Sequence, residues 1–451
     1  MTFNSLIFIF AFFPIAILAY FLTPTQKLKN IVLLIFSLIF YAWDNPFSIL
    51  ILILMIFWNY ASGIELKNAK KKSKKISLIV CVVVNLIILC VYKYTNFILG
   101  TNIKIGVPLG LSFFTFSSLS YIFDVAYGKC RAQYNIFDLA FYIAFFGKMS
   151  MGPIVQYNDM EVSINNHPMK FSLFKVGMMR FVKGLIKKVL LADQLSLIVT
   201  SLTGNSTVLG SWLLAIAYTL QLYFDFSGYS DMAIGIGNVF GFEWKENFNH
   251  PYTAVSVQDF WRRWHISLST WFRDYLYIPL GGSRVGNIQY IRNIMIVWLA
   301  TGFWHGANWT FIVWGLYYGL LLILEKFVLK NMLSKNKIIG HIYTMLVVII
   351  GWVFFMSADI STAIASLGHM FGIAKGFADG QSIFVLSSNL AIFLLGIIFS
   401  TDIYATIENI LFIRFKKKGV SFMMILYTLL FVLCIAFIIG SSYQTFLYSA
   451  F

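Results

Sequence analysis

The sequence predicts an all-α polytopic integral membrane protein, and three observations carry that expectation. Hydrophobic residues make up 59% of the 451-residue chain and charged residues only 12%, where a soluble domain carries about a quarter charged residues. Apolar runs recur along the whole chain, many near the ~20 residues that a membrane helix needs. The remaining charge, 34 Lys+Arg against 18 Asp+Glu for a formal +16, collects in short loops between those runs. There, lysine and arginine act as topology determinants near an anionic cytoplasmic leaflet rather than as a nucleic-acid surface. This composition excludes an ordinary cytosolic enzyme, a disordered chain, a collagen and a disulfide-stapled secreted protein. The cysteines Cys81, Cys90, Cys130 and Cys434 form no CxxC pair and no Cys/His ligand spacing, so neither a disulfide framework nor a zinc centre is expected.

In chain order, the apolar start lacks the basic flank and cleavage site of a signal peptide and reads as a retained span. Further apolar runs lie near 31–43, 48–64, 76–99, 106–127, 137–155, 207–224, 293–302 with 308–324, 342–357, 385–401 and 420–440. They predict roughly ten to twelve membrane helices. Runs that are short or broken by Gly, Pro or polar residues must be tilted, re-entrant or interfacial, because bare backbone cannot face lipid. The lysines of segment 67–75 belong on the cytoplasmic side. Counting outward from there puts the N-terminus outside and Lys27, Lys29, Lys129 and Arg131 inside. Lys416, Lys417 and Lys418 make 403–418 another cytoplasmic loop. In 171–194, Arg180, Lys183 and Lys187 oppose Phe181, Leu185 and Val189, the pattern of a basic amphipathic helix anchored at the interface. No linker or repeat divides the chain, so residues 1–451 read as one membrane-embedded domain.

Chemistry concentrates in 221–319. Phe260 to Arg284, FWRRWHISLSTWFRDYLYIPLGGSR, is too charged for a lipid-facing span and too aromatic for a plain loop. On one helix, Arg262, His265, Ser269 and Arg273 share a face; the same segment also fits a snorkelling interfacial anchor. His305, in GFWHGANWTF, stands in an otherwise apolar stretch. An ionisable group at membrane depth is a functional candidate by default, and burial favours a neutral imidazole able to accept a proton. The alternative is a histidine hydrogen-bonded between helices. Gly302 and Gly306 allow close approach of another backbone or a substrate. Asp225 and Asp231 fit structural pairing with Arg262, Arg263 or Arg273, or a proton relay in a transporter. His250, before Pro251 at a turn, reads as structural, and His167, His341 and His369 read like it as incidental to chemistry. There is no G-x-S-x-G elbow, P-loop, HExxH or dinucleotide fingerprint, and no metal set is expected.

These residues also carry a resemblance. Asn247–Arg284 followed by Gly302–Gly315, together with VPLGLSFFTFSSLSYIFDV (Val107–Val125), MGPIVQY (Met151–Tyr157), GLIKKVLLAD (Gly184–Asp193), LYFDFSGYSDMAIG (Leu222–Gly235) and IGWVFF (Ile350–Phe355), resembles the membrane-bound O-acyltransferase family. The likeness is to its bacterial alginate O-acetyltransferase branch, which includes peptidoglycan O-acetylation proteins. The chain departs from that branch at Gln156 and Met356, where arginine is usual; both positions bear on the acceptor. The resemblance implies a helical fold around a central tunnel, with a catalytic core at about 107–324, and acetyl transfer from cytoplasmic acetyl-CoA. It implies His305 as the membrane-embedded catalytic histidine and His265 as the second. A periplasmic or extracellular SGNH-hydrolase-like partner would pass acetyl to a polysaccharide, with the chain in the bacterial cytoplasmic (inner) membrane. On this reading His305 is the general base, Trp304 or backbone near Gly306 stabilises the oxyanion, and Asn308 orients His305. Arg262, Arg263 and Arg273 bind coenzyme A phosphates, and Asp225 belongs to the donor-side set. Two rivals are a D-alanyl transferase of the sister branch, acting on teichoic acid, and a proton-coupled transporter.

Overall fold

The computed structural model describes residues 1–43, 45–101, 103, 106–168, 170–440 and 446. Two lysines of the basic loops, Lys71 and Lys417, have side chains outside the described set. The fold is helical, with no strand among the described residues. Seven of these helices are long and apolar enough to cross a membrane: Ser48–Asn68, Lys72–Leu99, Val208–Val239, Trp309–Lys335, Lys337–Met356, Gly380–Phe399 and Lys418–Gly440. Phe8–Leu22 and Leu111–Ala126 are shorter apolar helices. The run at 137–155 breaks into Ile136–Ala144 and Phe146–Met149, neither long enough to span.

The chain packs as two compact units. The first holds Met1–Phe181 and Tyr229–Glu246. Its helices start and stop on local chemistry. Thr25 caps Gln26–Ala42 by accepting from the Leu28 amide, and Asn135 caps Ile136–Ala144 through the Phe137 amide. Gly100, at φ 61°, ends the long helix that begins at Lys71, a left-handed conformation that a side chain would oppose. Asn59 and Asn85 exchange side-chain amide bonds at 3.0 and 3.1 Å between two neighbouring spans, buried polar glue where lipid offers no alternative partner. His167 is a structural knot. Its Nδ1 meets the Phe240 carbonyl at 2.9 Å and its Nε2 the Asn30 side chain at 2.8 Å. Arg180 pairs with Asp231 at 2.9 Å and with Glu246.

The second unit holds Val182–Gly228 and Asn247–Leu447. Lys183 binds both oxygens of Glu408 at 2.8 Å. Lys188, on a π-helical stretch Lys187–Ala192, bridges Asp225 at 2.7 Å and Asp193 at 2.8 Å. These pairs bear on two sequence expectations. Arg180, Lys183 and Lys188 engage carboxylates of the protein itself, Lys187 lies over the Tyr223 ring at 5.9 Å, and Phe181, Leu185 and Val189 are buried. Asp225 and Asp231 do pair structurally, but with Lys188 and Arg180, not with Arg262, Arg263 or Arg273. Sequence spacing reveals the need for a cation and not which distant helix supplies it. The helix Ile403–Gly440 is interrupted at Lys416, where φ is 44°.

Candidate active site

Both histidines of interest lie in the second unit. The segment that carries His265 is held from two sides. The Asn249 amide donates to the Arg263 carbonyl and the Ile266 amide to the Asn247 carbonyl, each at 2.9 Å. The helix Val257–Arg263 begins on Ser256, whose hydroxyl accepts from the Asp259 amide at 3.0 Å. Glu325 adds a second cap: its two oxygens accept from the Val257 amide at 2.6 Å and the Gln258 amide at 3.0 Å. A carboxylate at a helix start satisfies orphan amides and complements the dipole.

That helix does not continue through the block. It stops at Trp264, and a second helix, Ile266–Phe272, starts after His265, whose φ and ψ are 44° and 55°. A non-glycine residue there is strained and held by its surroundings. Arg262, His265, Ser269 and Arg273 therefore do not share one helical face, because the break turns His265 inward. His265 is 1% exposed, whereas Arg262 and Arg273 face outward.

The orientation of His265 follows from its neighbours. Asn247 Oδ1 accepts from the Ser267 amide at 3.1 Å and the Ser267 hydroxyl at 2.8 Å. An atom that accepts from a backbone N–H is the amide oxygen, so the His265 Nδ1, 3.2 Å away, is assigned as the donor. The neutral ring then has its lone pair on Nε2. Burial pushes the His265 imidazolium down to about 3, because little in its surroundings repays the lost hydration of a cation. Phe226 stands edge-on to the ring at 4.6 Å.

His305 ends the helix Asn287–His305, and Trp309–Leu324 follows after a short turn. Gly302 and Gly315 bring these two helices together. A Cβ on Gly302 would meet the Phe311 carbonyl oxygen at 2.4 Å, and one on Gly315 the Trp298 carbonyl oxygen at 2.4 Å. Close backbone approach of this kind is the small-residue packing of membrane helices. Gly306 is equally constrained, since its Cβ would fall 2.2 Å from the Phe311 ring. His305 is buried, with Trp314 edge-on at 4.9 Å and Phe355 edge-on at 5.3 Å between ring centres. Trp304 neighbours both histidines, with centroid distances of 4.9 Å to His305 and 6.3 Å to His265.

The remaining expected residues divide. Arg263 is bound to Asp259 at 2.9 Å and Arg273 to Asp274 at 2.7 Å, while Arg262 makes no such pair among the described residues. Asp225 sits in the Lys188 cluster. Asn308 does not orient His305. Its Oδ1 caps the following helix through the Thr310 amide at 3.1 Å, and its Nδ2 donates to the Ala358 carbonyl at 2.6 Å. An asparagine just ahead of a helix is a preferred cap, a signal available in the sequence. Among the described residues, no group of three His, Cys, Asp or Glu side chains is placed to hold a metal ion. Asn247, Glu325, Trp314 and Phe355 were not singled out by sequence reasoning. Glu325, an acid at the end of an apolar run, could have been flagged on that ground alone.

The model of the membrane-bound O-acyltransferase family matches residues 34–367. The chain is 42% identical over 400 residues to the "Probable alginate O-acetylase AlgI" of Pseudomonas syringae pv. tomato, covering 84% of this chain and 76% of that protein. It is 34% identical over 442 residues to the peptidoglycan O-acetyltransferase of Helicobacter pylori, covering 87% and 83%. A teichoic acid D-alanyltransferase of Bacillus subtilis is 30% identical over 237 residues, covering 49% of this chain and 59% of that protein.

Proposed function

Because this chain belongs to the membrane-bound O-acyltransferase family, and is thus a multi-pass membrane acyltransferase, we propose that it transfers acetyl from cytoplasmic acetyl-CoA across the membrane for O-acetylation of a cell-surface polysaccharide. The polymer would be peptidoglycan, alginate-like or another hydroxyl-rich glycan, reached through an SGNH-hydrolase-like partner outside the cytoplasmic membrane. The N-terminus lies outside on this reading, and the chain works as one domain with its catalytic core at about 107–324. The observation that carries the proposal is the pair of buried histidines, His265 and His305, with Trp304 beside both rings.

Acetyl transfer requires the acceptor hydroxyl to lose its proton as its oxygen attacks the thioester carbonyl. His305 takes that proton, a general-base role typically worth about 10²–10⁴-fold. The carbonyl oxygen becomes an oxyanion, and the Trp304 indole N–H or the amides near Gly306 donate to it. The C–S bond then breaks, and the thiolate leaves with the proton held by His305. His265, neutral and fixed by Asn247, holds the thioester in register. Arg262 meets the coenzyme A phosphates, because guanidinium matches phosphate oxygens in a two-pronged contact. Arg263 and Arg273 contribute the N–H groups not committed to Asp259 and Asp274, since a guanidinium has five donors. Asp225 acts indirectly, by holding Lys188.

Acetyl rather than D-alanyl transfer is supported by the longer and closer likeness to the acetylating relatives. The test is chemical analysis of the surface polymer from a strain carrying His305→Ala, with membrane insertion verified. The proposal expects loss of the surface acetyl ester. Normal acetylation, or loss of a D-alanyl ester instead, would overturn it.

A further inference from the structure

The helix Val257–Arg263 has only seven residues, yet its start is held twice. The Ser256 hydroxyl accepts from the Asp259 amide at 3.0 Å. The Glu325 carboxylate takes the two amides ahead of it, Val257 at 2.6 Å and Gln258 at 3.0 Å. The first three N–H groups of the helix are thus all satisfied. A serine cap alone is an ordinary helix start. Glu325 is 6% exposed, and among the described residues no lysine or arginine pairs with it. Burying a carboxylate without a counter-ion is costly, and what it adds beyond a cap is a connection between distant parts of the chain.

That carboxylate belongs to the helix pair that carries His305. Glu325 opens the π-helical stretch Glu325–Leu329, which continues the helix Trp309–Leu324. This helix in turn packs backbone to backbone on Asn287–His305 at Gly302 and Gly315. The helix that Glu325 holds ends at Arg263, just ahead of His265. A second contact lies in its middle. The Trp261 ring stands edge-on to Trp298 at 4.8 Å, to Tyr318 at 4.9 Å and to Trp314 at 5.6 Å, and Trp314 is itself edge-on to His305. The residues before the helix are clamped independently. The His341 Nδ1–H donates to the Ala254 carbonyl at 3.1 Å, and a Cβ on Gly340 would meet the Val255 carbonyl oxygen at 2.5 Å. The segment therefore stays in place without Glu325, and what the carboxylate controls is its alignment.

We propose that Glu325 is a positioning residue for acetyl transfer: by holding the Val257 and Gln258 amides it sets the block that carries His265 against the helix pair that carries His305. The inference rests on the roles given above to those two histidines. Reacting groups tolerate little misalignment, and a displacement of about 1 Å can cost about 10²-fold in rate. Two attachments, the carboxylate at the helix start and Trp261 in the middle, fix both the place and the tilt of the helix. Without the carboxylate, Trp261 becomes a single pivot, and His265 at the far end leaves its register with His305.

The test compares full-length wild type, E325A, E325Q and S256A. S256A removes a cap from the same helix but leaves its link to the His305 helices, so it reports a merely structural role. The first readout is thiol release from acetyl-CoA in inverted membrane vesicles of the producing cells, which retain the native acceptors; vesicles lacking the protein are the blank. The rate should fall at least about tenfold in E325A, fall less in E325Q, whose one side-chain oxygen still accepts from an amide, and stay near wild type in S256A. The second readout is NMR of nitrogen-labelled histidine in lipid nanodiscs, with the His265 ring assigned by its loss in H265Q. A single neutral Nδ1–H form is expected in wild type and S256A, and a split or shifted signal in E325A. E325Q serves in both readouts if E325A is poorly folded. Turnover in E325A at the wild-type rate, an equal fall in S256A, or a His265 signal unchanged in E325A would each overturn the inference. Absence of thiol release from the wild type would instead remove the acetyl-CoA reading, and the ring signal alone would then decide whether Glu325 positions His265.

Discussion

The His265 Nδ1 lies 3.2 Å from the Asn247 Oδ1, and that contact determines which ring nitrogen holds the proton. The same oxygen accepts from the Ser267 amide and hydroxyl, so it is occupied on all sides by donors. The His265 backbone, at φ 44°, depends on this anchorage. One amide therefore sets both the tautomer and the direction of a ring buried beside Trp304.

Replacing that amide tests the dependence. Asn247→Ala leaves the Ser267 N–H and the His265 Nδ1–H without their acceptor, and an unmade buried hydrogen bond costs about 1–3 kcal/mol. Acetyl transfer should fall at least about tenfold, and thermal stability in detergent should drop. Asn247→Asp, which keeps an acceptor oxygen there, should recover part of the activity. Equal loss in the two variants would show that the acceptor is not what matters.

A second prediction concerns the helix contact that delivers His305. At Gly302 even a methyl group meets the Phe311 carbonyl oxygen at 2.4 Å. Gly302→Leu must push the two helices apart, and overpacking of this kind costs roughly 1–3 kcal/mol. The variant should insert in the membrane yet lose most acetyl transfer. Gly286, whose added Cβ would meet nothing within 4 Å, is the control, and Gly286→Ala should behave as wild type.

The Lys188 cluster should be structural. Removing one member of a buried ion pair costs about 3–5 kcal/mol, because the partner charge remains. Lys188→Met should therefore lower the melting temperature sharply, since its ammonium and the Asp225 carboxylate are each 2% exposed. Adding Asp225→Asn should recover part of the loss. If the double variant is as unstable as the single one, the charge argument is wrong.

The buried histidines also set a pH dependence. Burial holds His265 down to about 3 and His167 to about 4, whereas a histidine in an unfolded chain titrates near ~6.5. Below that value the unfolded state binds protons that the folded state refuses, so stability falls as pH falls. Their contribution is complete above about pH 6.5 and erodes toward the folded values. Melting temperatures should decline between pH 6.5 and 5, above the main carboxylate range, and less steeply in His265→Gln. A flat profile would contradict the neutral assignment.

The fold class was legible because lipid imposes a simple rule on composition: apolar runs with charges between them. His305 was legible for the same reason, as an ionisable residue in an apolar stretch. Gly302 was flagged for close approach, and the close backbone is there. Partners across the sequence were not legible. Lys188 and Asp225 are separated by 37 positions, and Glu325 and Val257 by 68; helical periodicity orders neighbours within an element and says nothing about which element lies opposite. The one-helix reading of Arg262 to Arg273 fails at His265, where the backbone turns left-handed beside Asn247, a tertiary setting that overrides local propensity. Asn308 was misread because proximity in sequence to His305 hid its ordinary role as a helix cap.

His305 is proposed as the base that removes the proton from the attacking hydroxyl. The most direct measurement is acceptor-dependent release of coenzyme A thiol by purified wild type and His305→Gln in nanodiscs, with acetyl-CoA saturating and folding matched by melting temperature. The expected result is a fall of about 10²–10⁴-fold in the rate with little change in acetyl-CoA affinity. Turnover at the wild-type rate by the His305→Gln protein would contradict it.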